Sequence, residues 1–185
     1  MTNDIIKDYT DLALKTELKD YLIKLKPIQF RKLHATIGIS TEIGELVNSK
    51  DGINTAEEIG DIFYYIAILC KILDLSFENL LTKKEEINYN KTDILSCVVI
   101  AASELLDSTK KEIFYKKYTS NKDFTEKLHL LVEYLFIFID LKGLKIENIL
   151  LKNINKLKLR YGEKFSINNA INRDLEAELK ILREE

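Results

Sequence analysis

The chain is poor in residues that interrupt regular structure, with one proline and six glycines among 185 residues. Strand-like alternation is nearly absent, whereas apolar residues recur at intervals of three and four. Because this spacing places them on one side of a helix, the sequence predicts an all-α fold, a helical bundle. Cys70 and Cys97 are the only cysteines, and each lies in an apolar run. We expect both to be small core residues rather than metal ligands or redox groups.

An excess of one charge and a long apolar run are also lacking. The 28 basic and 30 acidic residues give a formal net charge of −2, so no global field attracts nucleic acid or an anionic membrane. The longest apolar candidate, 59–75, is interrupted by Asp61, Lys71 and Asp74, and no run approaches the roughly 20 residues that span a bilayer. The first residues show no signal-peptide pattern. These absences argue against a nucleic-acid or membrane partner.

The apolar spacing predicts a single domain over 1–185, since the hydrophobic content of 46% suffices for a core and no linker interrupts the chain. The first helix is expected to end before Pro27, and a turn at Asp51-Gly52 to separate the second from the third. The predicted helices span about 4–24, 30–47, 56–73, 77–86, 93–111, 124–141, 146–160 and 172–183.

Two matching acidic motifs lie on the second and third predicted helices: Glu42-Ile43-Gly44-Glu45 and Glu58-Ile59-Gly60-Asp61. Residues three apart share a helix face, so two facing helices would bring four carboxylates together. Such crowding is tolerated mainly when a hard divalent cation neutralises it, and oxygen ligands favour Mg²⁺, with Mn²⁺ as a substitute. We therefore predict a metal site formed by Glu42, Glu45, Glu58 and Asp61.

A structural role for these acids is the alternative. Thr55 and Glu58 have the spacing of a capping box, and Glu42 and Glu45 fit a solvated helix face. Three details favour the metal site: the tandem arrangement, the apolar neighbours, and a glycine in each motif although helical glycine costs about 1 kcal/mol. We expect the two glycines to let the helices approach closely.

An internal repeat is indicated further along the chain. Segment 75–81 resembles 144–150, and the helix before each carries a tyrosine at the matching offset, Tyr65 and Tyr134. The physical interpretation is two helical hairpins packed about a pseudo-twofold axis into a four-helix core, with a degenerate second copy at about 82–150. Resemblance by composition alone is the alternative.

The second copy has lost half of the acidic pattern. The positions of the four acids are occupied in the second copy by Glu104, Asp107, Lys127 and Leu130. A register slipped by one residue would instead pair Glu126 with His129, which could ligate a metal, but it breaks the other matches. We expect one complete carboxylate cluster, with Glu104 and Asp107 facing it across the bundle.

A basic cluster lies near the C-terminus, within 153–166. Lys156 and Arg160 share a helix face and could hold phosphate oxygens, Arg160 in a bidentate manner. The alternative is a solvated basic face near a helix C-terminus, where cations are favoured, and the spacing alone favours this alternative. His34 and His129 show no ligand spacing.

At these residues the chain resembles phage-type members of the MazG-like branch of the all-α NTP pyrophosphatase superfamily, which is related to the dimeric dUTPases. The signature of that family is ExxE, then ExxD in an acidic doublet, then an apolar helix with a tyrosine. Glu57 matches the extra acid and Tyr65 the tyrosine, while the four predicted ligands match the metal positions. The similarity covers about 28–81 and 151–185.

This resemblance implies Mg²⁺-dependent hydrolysis of a nucleoside triphosphate, with a deoxynucleotide expected, to the monophosphate and pyrophosphate, in nucleotide-pool control. The implied catalytic residues are Glu42, Glu45, Glu57, Glu58 and Asp61. The implied substrate contacts are Tyr65, Lys156, Arg160, Tyr161 and Lys164. Compact members dimerise to build their core, whereas this chain is expected to supply those helices itself, so a homodimer stays open.

The two expected core cysteines fit a reducing, cytoplasmic location, which would be the host cytoplasm for a phage-encoded chain. A hypothesis of a different class is a non-catalytic nucleotide sensor or helical scaffold that keeps the fold and turns nothing over. The complete acidic motif of the first copy favours the enzyme.

Overall fold

All regular elements in the computed structural model are helices over the part of the chain that it describes, which confirms the predicted all-α class. The described residues are 3–19, 23–82, 93–162, 164 and 166–183. Their helices are α1 (Asn3–Thr16), α2 (Pro27–Val47), α3 (Gly52–Leu73), α4 (Phe77–Thr82), α5 (Ile94–Tyr115), α6 (Asn121–Leu141), α7 (Ile146–Tyr161), α8 (Ile167–Ile171) and α9 (Leu175–Arg183).

The core is formed by the four long helices α2, α3, α5 and α6. Helix α2 packs along α3 and α5, helix α6 packs along α5, and α6 also touches α3, so the four form a closed ring. One fully buried residue from each helix illustrates the core: Ile39, Ile59, Leu105 and Leu128. Helix α7 lies on the outer side of this ring against α3, and α9 lies against α7. The C-terminal helices thereby reach the helix that carries the second acidic motif.

In the α2–α3 and α5–α6 pairs, the second helices, α3 and α6, begin and end in the same way. Asp51 caps α3 by accepting a hydrogen bond from the N–H three residues later, and Ser120 caps α6 likewise. After each helix the backbone becomes left-handed, at Asp74 (φ 56°) and Gly143 (φ 66°). These positions coincide in the register predicted for the repeat and not in the slipped register.

Burial follows the same register. The buried residues Ile59, Ile62 and Ile66 of α3 correspond to Leu128, Leu131 and Leu135 of α6, and Leu80 of α4 corresponds to Ile149 of α7. The two hairpins therefore bury equivalent positions, while the duplication itself stays a prediction.

Several helix ends differ from the prediction, where capping outweighs periodicity. Helix α1 ends at Thr16 and residues 23–26 are not helical, so the helix predicted over 4–24 is too long. Pro27 begins α2, because a proline at the first helical position loses no hydrogen bond. Part of the first predicted helix, at 20–22, lies outside the described residues.

The C-terminal prediction is also corrected. The helix predicted over 172–183 begins later, as α9 at Leu175, because Asp174 caps it: its Oδ1 accepts a hydrogen bond from the N–H of Ala177. The short helix α8, which ends at Ile171, precedes it and was not predicted. Helix α4 ends at Thr82, and the remainder of the helix predicted to 86 lies outside the described residues.

The two cysteines occupy the core as expected. Cys70 is buried, where desolvation raises the pKa of its thiol to about 11, and Cys97 packs against the core from α5. Across the described ranges, none of the helices combines the length and apolarity that a membrane crossing requires.

We expect Gly143→Ala to lower the free energy of unfolding by about 1 to 2 kcal/mol, because a Cβ disfavours left-handed backbone. Urea denaturation measures the change. Gly52→Ala is the matched control, since this glycine is helical and a Cβ there meets no atom within 4 Å. Equal stability of the Gly143→Ala protein and the wild type would contradict the left-handed backbone at Gly143.

Candidate metal centre

Three carboxylates of the two predicted motifs converge in the structure. One oxygen from each of Glu42, Glu58 and Asp61 lies within 4.8 Å of the others. Glu42 belongs to α2 and the other two to α3, so the packing of these helices creates the cluster. Glu58 is buried, while Glu42 and Asp61 are half-buried. The fourth predicted ligand, Glu45, is exposed at the rim.

Burial and crowding change the protonation of this cluster. The pKa of Glu42 rises to about 7, first because the group is desolvated and then because Asp61 and Glu45 are close. The pKa of Glu58 also rises to about 7, from desolvation and then from Glu45 and Glu57. The carboxylates of the cluster therefore repel one another, and the ligand atoms that they offer are all oxygens. A hard divalent cation fits this donor set, and carboxylates suit Mg²⁺ and Mn²⁺ alike.

The structural alternative for Glu58 does not form. Helix α3 begins earlier than predicted, with Asp51 as its N-cap, and the hydroxyl of Thr55 donates to the Asp51 carbonyl at 2.7 Å. Glu58 instead accepts a hydrogen bond from Nδ2 of Asn54 at 2.9 Å. The capping box considered as the alternative for Thr55 and Glu58 is therefore absent, and Glu58 belongs to the cluster.

Asp61 is held by two side chains of α7. Nδ2 of Asn153 donates to Oδ1 at 2.6 Å, and Nζ of Lys156 donates to Oδ2 at 2.5 Å. Lys156 is fully buried and also lies 3.2 Å from Oε1 of Glu57. The sequence suggested a phosphate contact for Lys156, and the structure gives it carboxylate partners inside the protein.

The contact between α3 and α7 depends on Gly60. A Cβ there would lie 3.0 Å from the side chain of Asn153, whereas a Cβ at Gly44 would meet no atom within 4 Å. The expectation that both glycines bring α2 and α3 together is wrong. A third glycine matters instead: a Cβ at Gly38 would lie 2.4 Å from the ring of Tyr65, so the bare backbone of α2 provides the surface on which this ring packs.

A second group of ion pairs connects α9 to α7. Arg160 donates two hydrogen bonds to the carboxylate of Glu178, at 2.7 and 2.6 Å. Arg173 donates to the same carboxylate at 2.6 Å and lies 3.9 Å from Glu57. Burial opposes ionisation of Glu178, but the two arginines outweigh it and lower its pKa to about 2. These contacts join α9 to the end of α7 and bring positive charge towards the cluster.

An aromatic cleft of about 100 Å³, partly open to solvent, lies beside the carboxylates. Its walls are His34, Glu42, Asp61, Tyr64, Tyr65, Leu157, Arg160 and Tyr161. The rings of Tyr64 and Tyr65 meet edge to face with centroids 5.1 Å apart, and His34 meets Tyr65 at 5.5 Å. The cleft combines ring surfaces with the guanidinium of Arg160 and two carboxylates of the cluster, Glu42 and Asp61.

The structure brings most of the predicted residues to one region. Tyr65, Arg160 and Tyr161 line the cleft, whereas Lys164 is exposed on the segment after α7. Sequence reasoning gave no role to His34, Tyr64, Asn153, Arg173 and Glu178. Helical spacing could have found two of them, because Tyr64 follows Asp61, and Asn153 precedes Lys156, by three residues. Arg173 and Glu178 lie beyond a non-helical segment, where no spacing connects them to the site.

The second copy contributes nothing comparable. Glu104 is exposed, and Asp107 pairs with Lys110 at 2.7 Å and with Lys111, both on its own helix. Glu126 is exposed and pairs with Lys122. Over the described part of the chain, Glu42, Glu58 and Asp61 form the only group of three residues positioned to hold a metal.

Comparison with known proteins adds no relative. A scan against protein-family models finds no match to the chain, and searches of curated proteins and of solved structures find none either.

We expect the metal-free protein to lose stability as the pH rises from about 5 to about 8. Glu42 and Glu58 have a pKa of about 7 in the fold against an ordinary value of 4.5. Between pH 4.5 and about 7 the folded chain holds protons that the unfolded chain has released. Each unit rise in pH over this range therefore lowers the free energy of unfolding. Urea denaturation in the presence of a chelator measures the slope.

Matched variants test whether the cluster causes this slope. The double variant Glu42→Gln/Glu58→Gln cannot release these protons and should flatten the decline, whereas Glu104→Gln, an exposed change outside the cluster, should retain it. A wild-type stability that is constant or rises over this range would contradict the raised pKa values.

Proposed function

We propose that the chain is a Mg²⁺-dependent nucleoside triphosphate pyrophosphohydrolase, which converts a triphosphate, with a deoxynucleotide expected, to the monophosphate and pyrophosphate. The observation that carries the proposal is the convergence of Glu42, Glu58 and Asp61 beside an aromatic cleft, with Glu42 and Asp61 in its wall. The resemblance of the two acidic motifs to the MazG-like signature adds the substrate class.

The chain's own groups divide the work. Glu42, Glu58 and Asp61, with Glu45 at the rim, would hold the cation. When bound, Mg²⁺ polarises the phosphate oxygens and makes water a stronger nucleophile at neutral pH. Glu57 is the adjacent carboxylate outside this set, and it would accept the proton of the attacking water.

The cleft would bind the remainder of the nucleotide. Arg160 places a positive charge on the cleft wall, where it would offset charge on the polyphosphate. Its guanidinium is already oriented by Glu178 and lies 5.8 Å from the ring centre of Tyr161. Tyr64 and Tyr65 provide ring faces and edges for the base and sugar. Lys164, on the segment after α7, would add charge at the entrance.

The four-helix core would arise from two repeated hairpins of the kind found in that superfamily. The shared cap positions and the shared burial pattern of the two pairs support this interpretation. One copy keeps the acidic cluster and the other serves the core. In this arrangement a single chain supplies the helices that compact members obtain by dimerisation.

The test is pyrophosphate release from a panel of ribo- and deoxynucleoside triphosphates with Mg²⁺. We expect Glu42→Gln and Glu58→Gln each to lower the rate by about 100-fold or more, because each change removes a ligand of the cation that would polarise the phosphate oxygens. Both variants should fold, since the wild-type groups already take up protons near neutral pH.

Glu104→Gln is the control and should keep the wild-type rate. Full activity in both cluster variants would contradict the metal assignment. Tight nucleotide binding without turnover over the whole panel would favour a sensor, and absence of nucleotide binding would favour a scaffold.

A further inference from the structure

Lys156 combines complete burial with two carboxylate partners. Its side chain is 0% exposed, and Nζ lies 2.5 Å from Asp61 and 3.2 Å from Glu57. A buried ammonium ion is costly unless other charges and hydrogen bonds compensate it. Among the described residues, no buried side-chain nitrogen or oxygen lacks a hydrogen-bond partner, so this charge is fully accommodated by the fold.

The orientation of Asp61 is fixed by α7. Asn153 occupies Oδ1 at 2.6 Å and Lys156 occupies Oδ2, and Asn153 is itself buried, at 6% exposure. Each carboxylate oxygen can accept more than one interaction, so each keeps a direction for a cation. Asn153 and Lys156 therefore orient the carboxylate without removing it from the cluster.

The two sides of the acidic region, Asp61 with Glu57 and Glu58, differ in how their negative charge is balanced. At one end, Asp61 and Glu57 share the ammonium ion of Lys156, with Arg173 3.9 Å from Glu57. At the other end, Glu58 accepts a hydrogen bond from the neutral side-chain amide of Asn54 at 2.9 Å. A second metal ion in a two-metal site would bridge carboxylates in the way that Lys156 bridges Asp61 and Glu57.

We infer that Lys156 is an internal cation that takes the place of a second metal ion, so that the centre binds one divalent ion per chain at Glu42, Glu58 and Asp61. Lys156 is thus a positioning residue that acts through Asp61 and Glu57. The inference rests on the proposed metal centre and specifies its stoichiometry.

The test counts Mn²⁺ ions bound to the full chain, by titration calorimetry and by the electron paramagnetic resonance signal of free Mn²⁺. Only ions that are lost when Asp61→Asn is added to the same protein are counted as bound at the centre, because Asp61 belongs both to the cluster and to the pair held by Lys156. We expect one ion per chain for the wild type and two for Lys156→Met, which removes the charge and leaves Asp61 and Glu57 available. Lys152→Met is the control on the same helix: its Nζ donates to the carbonyl of Leu182, and it should bind one ion.

The outcomes separate this inference from the proposed function. Two ions in the wild type, or one ion in Lys156→Met with unchanged affinity, would overturn the role of Lys156 and leave the metal centre intact. Absence of any Mn²⁺ binding at the centre would overturn both. The wild-type count decides between one ion and two even where Lys156→Met fails to fold.

Discussion

Apolar packing between α2 and α3 holds together carboxylates that repel one another. Two ionised carboxylates about 5 Å apart repel by about 3 kcal/mol at the effective dielectric of a protein surface. Burying one isoleucine side chain contributes about 1.5 to 3 kcal/mol. Ile39, Ile43 and Ile59 are among several such residues on the two helices, so the free energy of apolar burial exceeds that of carboxylate repulsion. The repulsion and the burial of the acids appear instead as the raised pKa of Glu42 and Glu58.

The C-terminal helices supply hydrogen-bond donors and positive charge to the acids, and α7 does so from the outer side of α3. Asn153 and Lys156 hold Asp61, and the Arg160–Glu178 contact holds α9 against α7. Helix α3 is therefore shared: one face packs in the core and another meets α7. The site lies where these two faces adjoin, which explains why the α2–α3 hairpin contains the three carboxylates but not the whole cleft.

The sequence predicted those features that local spacing determines. The three-residue spacing of the acids, together with the short connection between two helices, was enough to bring Glu42, Glu58 and Asp61 together. The partners of Lys156 were not predictable, because spacing gives the face of a helix but not the element that this face meets. Helix ends at Pro27 and Asp51 depended on capping, which overrides apolar periodicity over a few residues.

The hydrogen bonds of Asp61 also determine when the site can exist. They join residues 92 and 95 positions apart, so the chain must close a long loop before the carboxylate has its final orientation. The α2–α3 hairpin can form from local contacts, but its acids stay incompletely compensated until α7 docks. The final orientation of Asp61 is therefore a late event in folding, and a nascent chain acquires it only after Asn153 and Lys156 have been synthesised.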